Sequence, residues 1–425
     1  MPHPQPVHKL TPGRHGNLRA LAWWLVAFVI IMAILILRRP DAVLSPQFYA
    51  DDGHTWFQQA YNDGVKSLVY TYGGYFQTLS RLAAVVALSV PLIRAPLVLN
   101  LIALLVEAAP PLFLMSPRMR NVGSLTLRAF LALLYLIVPK AAEVHASITN
   151  APFNLALLAF LIILAEVPAS PSGRGFDVAV LTLTSLTGPF CIVLFPVALL
   201  VAAARRRGGT IVHLVILGGG ALVQGFALLF TGERIHQKLG ASFAGFCHIV
   251  AGQVVLPVLQ GPNRLDQLAH SSATVAALSC LITCLLILLF LYAFWRGSLE
   301  LRSFILFAVL LLAAALAFPT PNATSDHWGP MQAPGGAGRY WYIPGMALMA
   351  TLLWLLGRER PLGVRAVGAV LVCCMLFGAT KRWRFAPFPD LHFAEYVQQF
   401  EQLPRGHSLE IPLNPPGWSM TLFKK

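Results

Sequence analysis

The sequence predicts an all-α integral membrane protein with about eleven transmembrane helices. Of its 425 residues, 57% are hydrophobic and only 11% are charged, whereas a soluble globular domain carries roughly 25% charged residues. The mean hydropathy is +0.68. So few charges cannot cover a large soluble core, and the lipid bilayer is therefore the expected solvent for most of the chain.

Eleven apolar stretches are predicted to cross the bilayer. The first span follows a basic stretch, and no small-residue cleavage site comes after it. It is therefore interpreted as an uncleaved signal-anchor helix. The stretch from 176 to 204 is divided at Gly188-Pro189, because proline removes a backbone donor and restricts the residue before it. The predicted spans are 20–37, 95–115, 122–139, 150–167, 177–187, 189–204, 210–231, 272–295, 301–318, 340–356 and 363–380.

The distribution of basic residues predicts the orientation. The chain has 31 Lys and Arg against 17 Asp and Glu, a net charge of +14. The cationic residues cluster in short connections between spans, which places those connections in the cytoplasm. No basic stripe interleaved with aromatic residues is present, which argues against a nucleic-acid partner.

This orientation defines the expected organisation in the cell inner (plasma) membrane. A cytoplasmic N-terminal tail, 1–19, precedes a transmembrane domain, 20–380, and an outer C-terminal tail, 381–425. All long loops then lie on the outer face, as expected for a protein that does chemistry there. They are 38–94, 232–271 and 319–339.

The first outer loop contains an acidic pair, Asp51 and Asp52, in the run FYADDGHTWFQQAYNDG. Either residue is suited to N-cap a helix whose apolar positions repeat at intervals of three and four, and Gly64 is expected to end that helix. A carboxylate at this place also suits a catalytic base. The sequence leaves open which of the two acts in which way.

Two further surface elements are expected on the outer face. The stretch from 76 to 91 is short for a span and is interpreted as an interfacial helix. In the tail, HFAEYVQQFEQL (392–403) predicts an amphipathic helix, and HSLEIPLNPPGWSM (407–420) predicts an extended, proline-rich end. We expect this tail to pack on the outer loops.

This order of features resembles the type-C glycosyltransferase superfamily (GT-C), polytopic enzymes that use polyprenyl-phosphate-linked sugar donors. An acidic pair early in the first outer loop is the recurring mark of that superfamily, and Asp51-Asp52 matches it. Further stretches are similar to uncharacterised bacterial membrane proteins of this kind. They are YGGYFQTLSRLAA (72–84), EVHASITNAPFNLAL (143–157), LTGPFCIVLFPVALL (186–200), GRYWYIP (338–344) and NPPGW (414–418).

The resemblance implies transfer of a sugar from a polyprenyl-phosphate donor to a glycan, lipid or protein acceptor of the cell envelope, with inversion at the sugar carbon. Such chemistry needs a base for the acceptor hydroxyl and a cation or metal for the leaving phosphate. Asp51 or Asp52 is the expected base. Arg339, beside Tyr340, is the expected phosphate ligand, with Arg81 and Lys140 as other outer-face cations.

Other polar and aromatic residues of the predicted outer face are assigned to substrate binding. Tyr72 and Tyr75 are expected to stack on sugar faces. The remaining four are expected to position the acceptor or, with an aspartate, to hold a divalent cation such as Mg²⁺ or Mn²⁺. These four are Glu143, His145, Asp326 and His327.

Simpler explanations stand beside these assignments. Arginine, tryptophan and tyrosine are common at helix ends in membranes, and a loop carboxylate or histidine is often only solvated. The residues show no ligand pair at diagnostic helical spacing, so no metal is assigned. Two other functions remain open: a transporter or flippase for a lipid-linked saccharide, which would need ionisable groups deep within spans, and a non-catalytic subunit of an envelope-glycan complex.

Overall fold

The computed structural model of the chain describes most of its residues. Residues 1–13, in the predicted N-terminal tail, lie outside the described part, as do portions of the predicted outer loops 232–271 and 319–339. The described ranges are 14–206, 209–231, 238–261, 271–319, 326–333, 336–381 and 383–425.

The described chain is mostly helical, as predicted. Short π-helical turns at Asp52–Phe57 and Val250–Val255 lead directly into α3 and α12. The helices are α1 (Arg14–Arg38), α2 (Asp41–Leu44), α3 (Gln58–Asp63), α4 (Thr78–Ala87), α5 (Ala95–Met115), α6 (Leu125–Leu136), α7 (Ala151–Leu164), α8 (Pro171–Ser185), α9 (Phe190–Arg205), α10 (Thr210–Phe230), α11 (Phe243–Ile249), α12 (Leu256–Gln260), α13 (Ser272–Arg296), α14 (Leu299–Ala317), α15 (Trp328–Gln332), α16 (Gly338–Trp354), α17 (Leu362–Thr380) and α18 (Phe393–Gln402).

Each of the eleven predicted spans contains a helix, but the number of spans is not confirmed. By length and composition, seven described helical stretches suit a membrane crossing, and six of them fall on predicted spans. The other five predicted spans are helices of 12 to 17 residues. Helix α7 is one of these, and all of its side chains are buried. Since protein surrounds α7, its length need not match the thickness of the lipid.

The stretch Phe243–Gln260 is the seventh candidate span, and the prediction of a loop there was wrong. It is two-thirds buried within the bundle. Gln253, in its middle, donates to the carbonyls of Met331 and Ala333 at 2.9 and 2.8 Å. These bonds satisfy an amide that would otherwise be costly in an apolar interior. Gln253 interrupts the hydropathy pattern, which explains why the sequence reads as a loop.

The bundle has two ends with different connections. At one end, which we call the loop end, residues 39–94, 137–150 and 383–425 lie together. At the opposite end, the connector end, short connections join α5 to α6, α7 to α8, α13 to α14 and α16 to α17. The predicted turn between α8 and α9 is confirmed, with Gly188 at φ +74°.

Arg38 departs from the predicted charge distribution because it lies at the loop end. Its guanidinium is buried and donates to the carbonyls of Leu136 and Val138 at 2.8 and 3.0 Å, and to the carbonyl of Trp383 at 2.9 Å. The last carbonyls of a helix have no partner within that helix. Arg38 therefore supplies donors to the end of α6 and is not a free loop charge.

The first loop contains the two helices predicted there. The helical stretch that includes α3 ends at Gly64, whose φ of +66° favours glycine. Helix α4 buries Leu79 and exposes the apolar side chains of Leu82 and Val86, which suits a helix that lies in the membrane interface. Between these helices, β1 (Thr71–Tyr72) pairs antiparallel with β2 (Tyr75–Phe76), which was not predicted.

The C-terminal tail packs on this first loop, as expected. Helix α18 confirms the predicted amphipathic helix, but the extended end forms a β-hairpin of β3 (Ser408–Leu413) and β4 (Trp418–Phe423). The Thr421 amide donates to Gln58 at 2.6 Å, and the Ala50 amide donates to the Asn414 carbonyl at 2.5 Å. The hairpin thus holds the backbone just before the acidic pair.

The orientation of the bundle can be tested by cysteine labelling. We expect Ser408→Cys, at the loop end, to react with a membrane-impermeant maleimide in intact cells, and Ser172→Cys, at the connector end, to react only after permeabilisation. Both positions are exposed. The background is the chain with its six native cysteines replaced by alanine. Labelling of Ser172→Cys but not Ser408→Cys in intact cells would show the opposite orientation.

Candidate functional site

The segment 137–150, between α6 and α7, is the centre of the loop end. It is irregular, and Lys140 and Ala146 adopt positive φ of 62° and 51°. Most of it is buried, so its backbone groups need partners within the protein. Asn150 supplies one, donating to the Glu143 carbonyl at 2.9 Å. Lys140, Glu143 and His145 belong to this segment, and Asp52 and Arg339 bond to it.

Asp52 anchors the first loop to this segment. Its carboxylate is fully buried and accepts from the Thr149 amide at 2.9 Å, the Thr149 hydroxyl at 2.5 Å and the Ile148 amide at 3.3 Å. The Ser147 hydroxyl lies 3.5 Å away. Neither aspartate forms a side-chain cap on the helix that follows, so the predicted capping role was wrong. Asp52 instead accepts hydrogen bonds from segment 137–150, which is distant in the chain.

Burial raises the pKa of Asp52 from 3.8 to about 7, because desolvation disfavours the charged carboxylate. The hydrogen bonds from Thr149 and Ile148 oppose this effect, and the charge of Asp51 adds to it. Asp52 is therefore poised to change protonation near neutral pH, although its neighbours leave no room for a substrate hydroxyl.

Asp51 has different surroundings, although it is adjacent in the chain. It is half-buried, and its Oδ1 accepts from the Tyr72 hydroxyl at 2.7 Å and the Thr55 hydroxyl at 3.0 Å. Oδ2 accepts no hydrogen bond from the residues that the structure describes. Burial and the charge of Asp51 raise the pKa of Tyr72, so Tyr72 stays protonated and keeps donating to Asp51.

Aromatic residues position this carboxylate. Tyr72 pairs with Tyr75 across the β1–β2 hairpin, and its ring meets Trp56 edge-on with 5.0 Å between centroids. Trp56 in turn donates to Thr149 at 2.8 Å. Tyr72, one of the two predicted stacking residues, therefore lies beside Asp51. Through Trp56, it is connected to Thr149, which bonds to Asp52.

Arg339 and Glu143 form an ion pair next to this group. The guanidinium of Arg339 donates to Oε1 of Glu143, and the Arg339 amide donates to Oε2 at 3.0 Å. The guanidinium also lies 4.8 Å from the centroid of the Tyr340 ring. The positive charge of Arg339 acts on the Tyr72 hydroxyl and opposes the rise in its pKa. Glu143 is thus the counter-ion of Arg339.

His145 does not join the surface group that was predicted. It is fully buried, and its Nδ1 lies 3.0 Å from Glu107, whose other oxygen accepts from the Ala146 amide at 3.3 Å. Burial lowers the pKa of His145, against the effect of Glu107. Glu107 belongs to α5, so segment 137–150 packs against the side of that helix.

The other predicted cations make structural contacts. Arg81 is buried, donates to Gln59 at 2.9 Å and lies 5.1 Å from the centroid of the Trp56 ring. Lys140 donates to Gln253 at 2.7 Å. Both side chains thus hold neighbouring elements in place, Arg81 within the first loop and Lys140 between segment 137–150 and the Val250–Val255 turn.

The predicted pair Asp326 and His327 lies at the start of α15. Oδ1 of Asp326 accepts the Gly329 amide at 3.0 Å, and His327 is buried. Within the described ranges, no three His, Cys, Asp or Glu side chains converge as ligands. A divalent cation held by fewer side chains stays a prediction.

Two residues at the site were not predicted. Thr149 gives its amide and hydroxyl to Asp52, and Tyr49 stacks on Phe388 with 5.0 Å between ring centroids. Thr149 lies in the stretch EVHASITNAPFNLAL, which carried the resemblance, but no local pattern distinguishes its amide as a ligand of a carboxylate.

Comparison with solved structures gives a remote likeness in fold. The chain is similar to the Archaeoglobus fulgidus oligosaccharyltransferase, in a crystal structure with a tethered acceptor peptide containing the NVT sequon, at TM-score 0.42 and 11% identity. The match covers 90% of this chain and 57% of the oligosaccharyltransferase chain. No protein-family model and no curated protein sequence matches. At this similarity the likeness assigns no activity.

The protonation of Asp52 predicts how stability depends on pH. Because its pKa in the folded protein lies above its ordinary value, the stability that it contributes is complete below about pH 4 and is lost as pH rises through about 7. We therefore expect the thermal midpoint of the purified protein to decrease as the pH rises from about 4 to 7, and Asp52→Asn to reduce this decrease.

The matched control is Asp63→Asn, which changes an exposed carboxylate of the same loop and should leave the slope as in the unaltered protein. Parallel pH curves for Asp52→Asn and the unaltered protein would contradict the elevated pKa.

Proposed function

We propose that the protein is a membrane glycosyltransferase that transfers a sugar from a polyprenyl-phosphate donor to a cell-envelope acceptor at the loop end of the bundle. The loop end is then the outer face of the plasma membrane. The observation that carries the proposal is the half-buried Asp51 carboxylate, with one oxygen held by Tyr72 and Thr55 and the other accepting no bond from the described residues.

Asp51 is the proposed general base. Its Oδ2 takes the proton of the acceptor hydroxyl while the oxygen of that hydroxyl forms a bond to the sugar carbon. The bond between this carbon and the lipid phosphate breaks, and the phosphate leaves with the electron pair. Tyr72 and Thr55 fix the carboxylate, since a base must lie within hydrogen-bond reach of the proton that it removes.

Arg339 is the proposed source of positive charge for the leaving phosphate. Guanidinium groups bind phosphate oxygens well through paired N–H donors. Its contacts with Glu143 and Tyr340 hold the side chain at the start of α16. Asp52 has no part in the chemical step in this proposal, because all of its described contacts serve to position segment 137–150.

Exchange of the base tests the proposal. We expect Asp51→Asn to lower sugar transfer by roughly 10²- to 10⁴-fold, the usual contribution of a general base, while the thermal midpoint stays close to that of the unaltered protein. The measurement is transfer to surface glycans in cells, with protein amount and thermal midpoint determined for each variant.

Asp63→Asn is again the matched control, since it removes an exposed carboxylate of the same loop. It should transfer as the unaltered protein does. Undiminished transfer by a folded Asp51→Asn protein would refute Asp51 as the base.

A second function, transport of a lipid-linked saccharide, is favoured by one observation. Glu107 and His145 form a buried pair, and the hydroxyls of Tyr135 and Tyr342 both donate to Asn154 at 3.0 Å nearby in the bundle. Ionisable groups within membrane bundles often mark a transport path. Both groups of this pair, however, hold segment 137–150 in place.

Liposomes containing the purified protein separate the two functions. If the protein is a transferase, we expect no protein-dependent crossing of a fluorescent lipid-linked saccharide, and Glu107→Gln should lower the thermal midpoint by removing a partner of buried donors. Crossing that depends on Glu107 and persists in Asp51→Asn would instead establish transport.

A further inference from the structure

Three arginines meet where helix α13 ends, at the connector end of the bundle. The guanidinium of Arg302 donates to the Trp295 carbonyl at 3.0 Å, and that of Arg360 donates to the Arg296 carbonyl at 3.3 Å. The last carbonyls of a helix have no partner within that helix. Since Trp295 and Arg296 are consecutive residues, these bonds bring the two guanidinium groups close to each other. We call Arg296, Arg302 and Arg360 the arginine corner.

Aromatic contacts fix the helix ends that form this corner. The guanidinium of Arg360 lies 3.9 Å from the centroid of the Trp354 ring, at the end of α16. The ring of Tyr292, in the last turns of α13, meets the same Trp354 ring with 5.4 Å between centroids. The ends of α13 and α16 are thus packed against each other, and the arginine corner is part of this packing.

The bonds to the end of α13 use only part of the donors in the corner. A guanidinium carries five N–H donors. Arg302 and Arg360 use Nη2 for these bonds, and Nη1 of each makes no hydrogen bond with the described residues. The Arg296 side chain is exposed and makes none with them. Neighbouring guanidinium groups with unused paired donors are well suited to bind phosphate oxygens.

The charge around the corner favours an anionic ligand. The stretches 296–302 and 355–365 contain five arginines and two glutamates. Glu300 is paired with Arg205 at 2.9 Å. Glu359 is 66% exposed and lies 3.5 Å from Arg360, and an exposed pair of this kind contributes little. Five guanidinium groups therefore face one weakly held carboxylate, which leaves positive charge for a ligand.

An apolar stripe on α13 leads to the same corner. Its members recur at intervals of three and four and are 51% to 74% exposed: Leu281, Leu285, Leu288, Leu291 and Trp295. Helix α13 has 25 residues and suits a membrane crossing, and only 17% of its crossing stretch is buried within the protein. An apolar span that protein covers so little meets lipid along its open face. Tryptophan at the end of such a stripe is typical of the membrane interface.

We propose that the arginine corner binds the phosphate of an anionic phospholipid, phosphatidylglycerol, whose acyl chains lie along the stripe of α13. Phosphatidylethanolamine is disfavoured, because its ammonium group neutralises its phosphate and would meet the guanidinium groups. A free phosphate ion has the required charge but gains nothing from the apolar stripe. This site goes beyond the proposed transferase reaction and does not depend on it.

Native mass spectrometry of the full-length protein in detergent tests the site. The added probes are phosphatidylglycerol and phosphatidylethanolamine with the same acyl chains. We expect the unaltered protein to retain phosphatidylglycerol preferentially, and Arg296→Gln to lower this retention about five-fold, the usual effect of one basic residue near an anionic membrane surface. The thermal midpoint should not change, because the Arg296 side chain makes no hydrogen bond with the described residues. Arg296→Lys, which keeps the charge, should retain most of the lipid.

Arg120→Gln is the matched control, since Arg120 is another exposed arginine of the connector end whose side chain makes no hydrogen bond within the described ranges. It should retain phosphatidylglycerol as the unaltered protein does, and added inorganic phosphate should not displace the lipid. An equal loss in Arg120→Gln and Arg296→Gln would assign the binding to the general charge of this end and overturn the proposal. Equal retention of the two lipids, unchanged retention in Arg296→Gln, or displacement by inorganic phosphate would also overturn it.

Discussion

The hydrogen bonds from the backbone of segment 137–150 to the buried carboxylate of Asp52 are the constraint on which the loop end depends. An irregular segment inside a membrane bundle is stable only if its polar backbone groups find partners within the protein. Asp52 accepts the amides of Ile148 and Thr149, and Glu107 accepts that of Ala146. Without these carboxylates the segment would bury unsatisfied donors, each costing about 1–3 kcal/mol.

The same constraint explains where the chain places its few charges. Arg38 donates to the carbonyls of Leu136 and Val138, and Arg39 donates to that of Ala142 at 3.2 Å. Acidic residues thus serve the amides of the segment and basic residues serve its carbonyls. Both arginines lie at the loop end, where their guanidinium groups bond to backbone carbonyls within the protein.

Sequence reasoning located the helices well because hydropathy and glycine or proline breaks are local signals, as at Gly64 and Gly188-Pro189. It failed where the partner is distant in the chain. Nothing near Glu107 indicates that His145 folds down to meet it, and nothing near Asp52 indicates Thr149, 97 residues away. The stretch around Gln253 was predicted as a loop for a related reason. The sequence alone does not distinguish a glutamine whose side chain bonds within the bundle from a glutamine in a solvated loop.

In the proposed reaction, one carboxylate anchors segment 137–150 and the other acts as the base, and a single carboxylate could not do both. Anchoring segment 137–150 uses both oxygens of Asp52 and removes them from solvent, which raises its pKa towards neutrality. In the proposed reaction the base must keep an oxygen within reach of a substrate proton, and Oδ2 of Asp51 is the oxygen proposed for this role. Asp51 and Asp52 are successive residues at the start of a helical turn, so their side chains point in different directions. Because Asp52 is bonded to segment 137–150, it also fixes the backbone of Asp51 beside it. The position of the Asp51 carboxylate therefore depends on the contacts of Asp52.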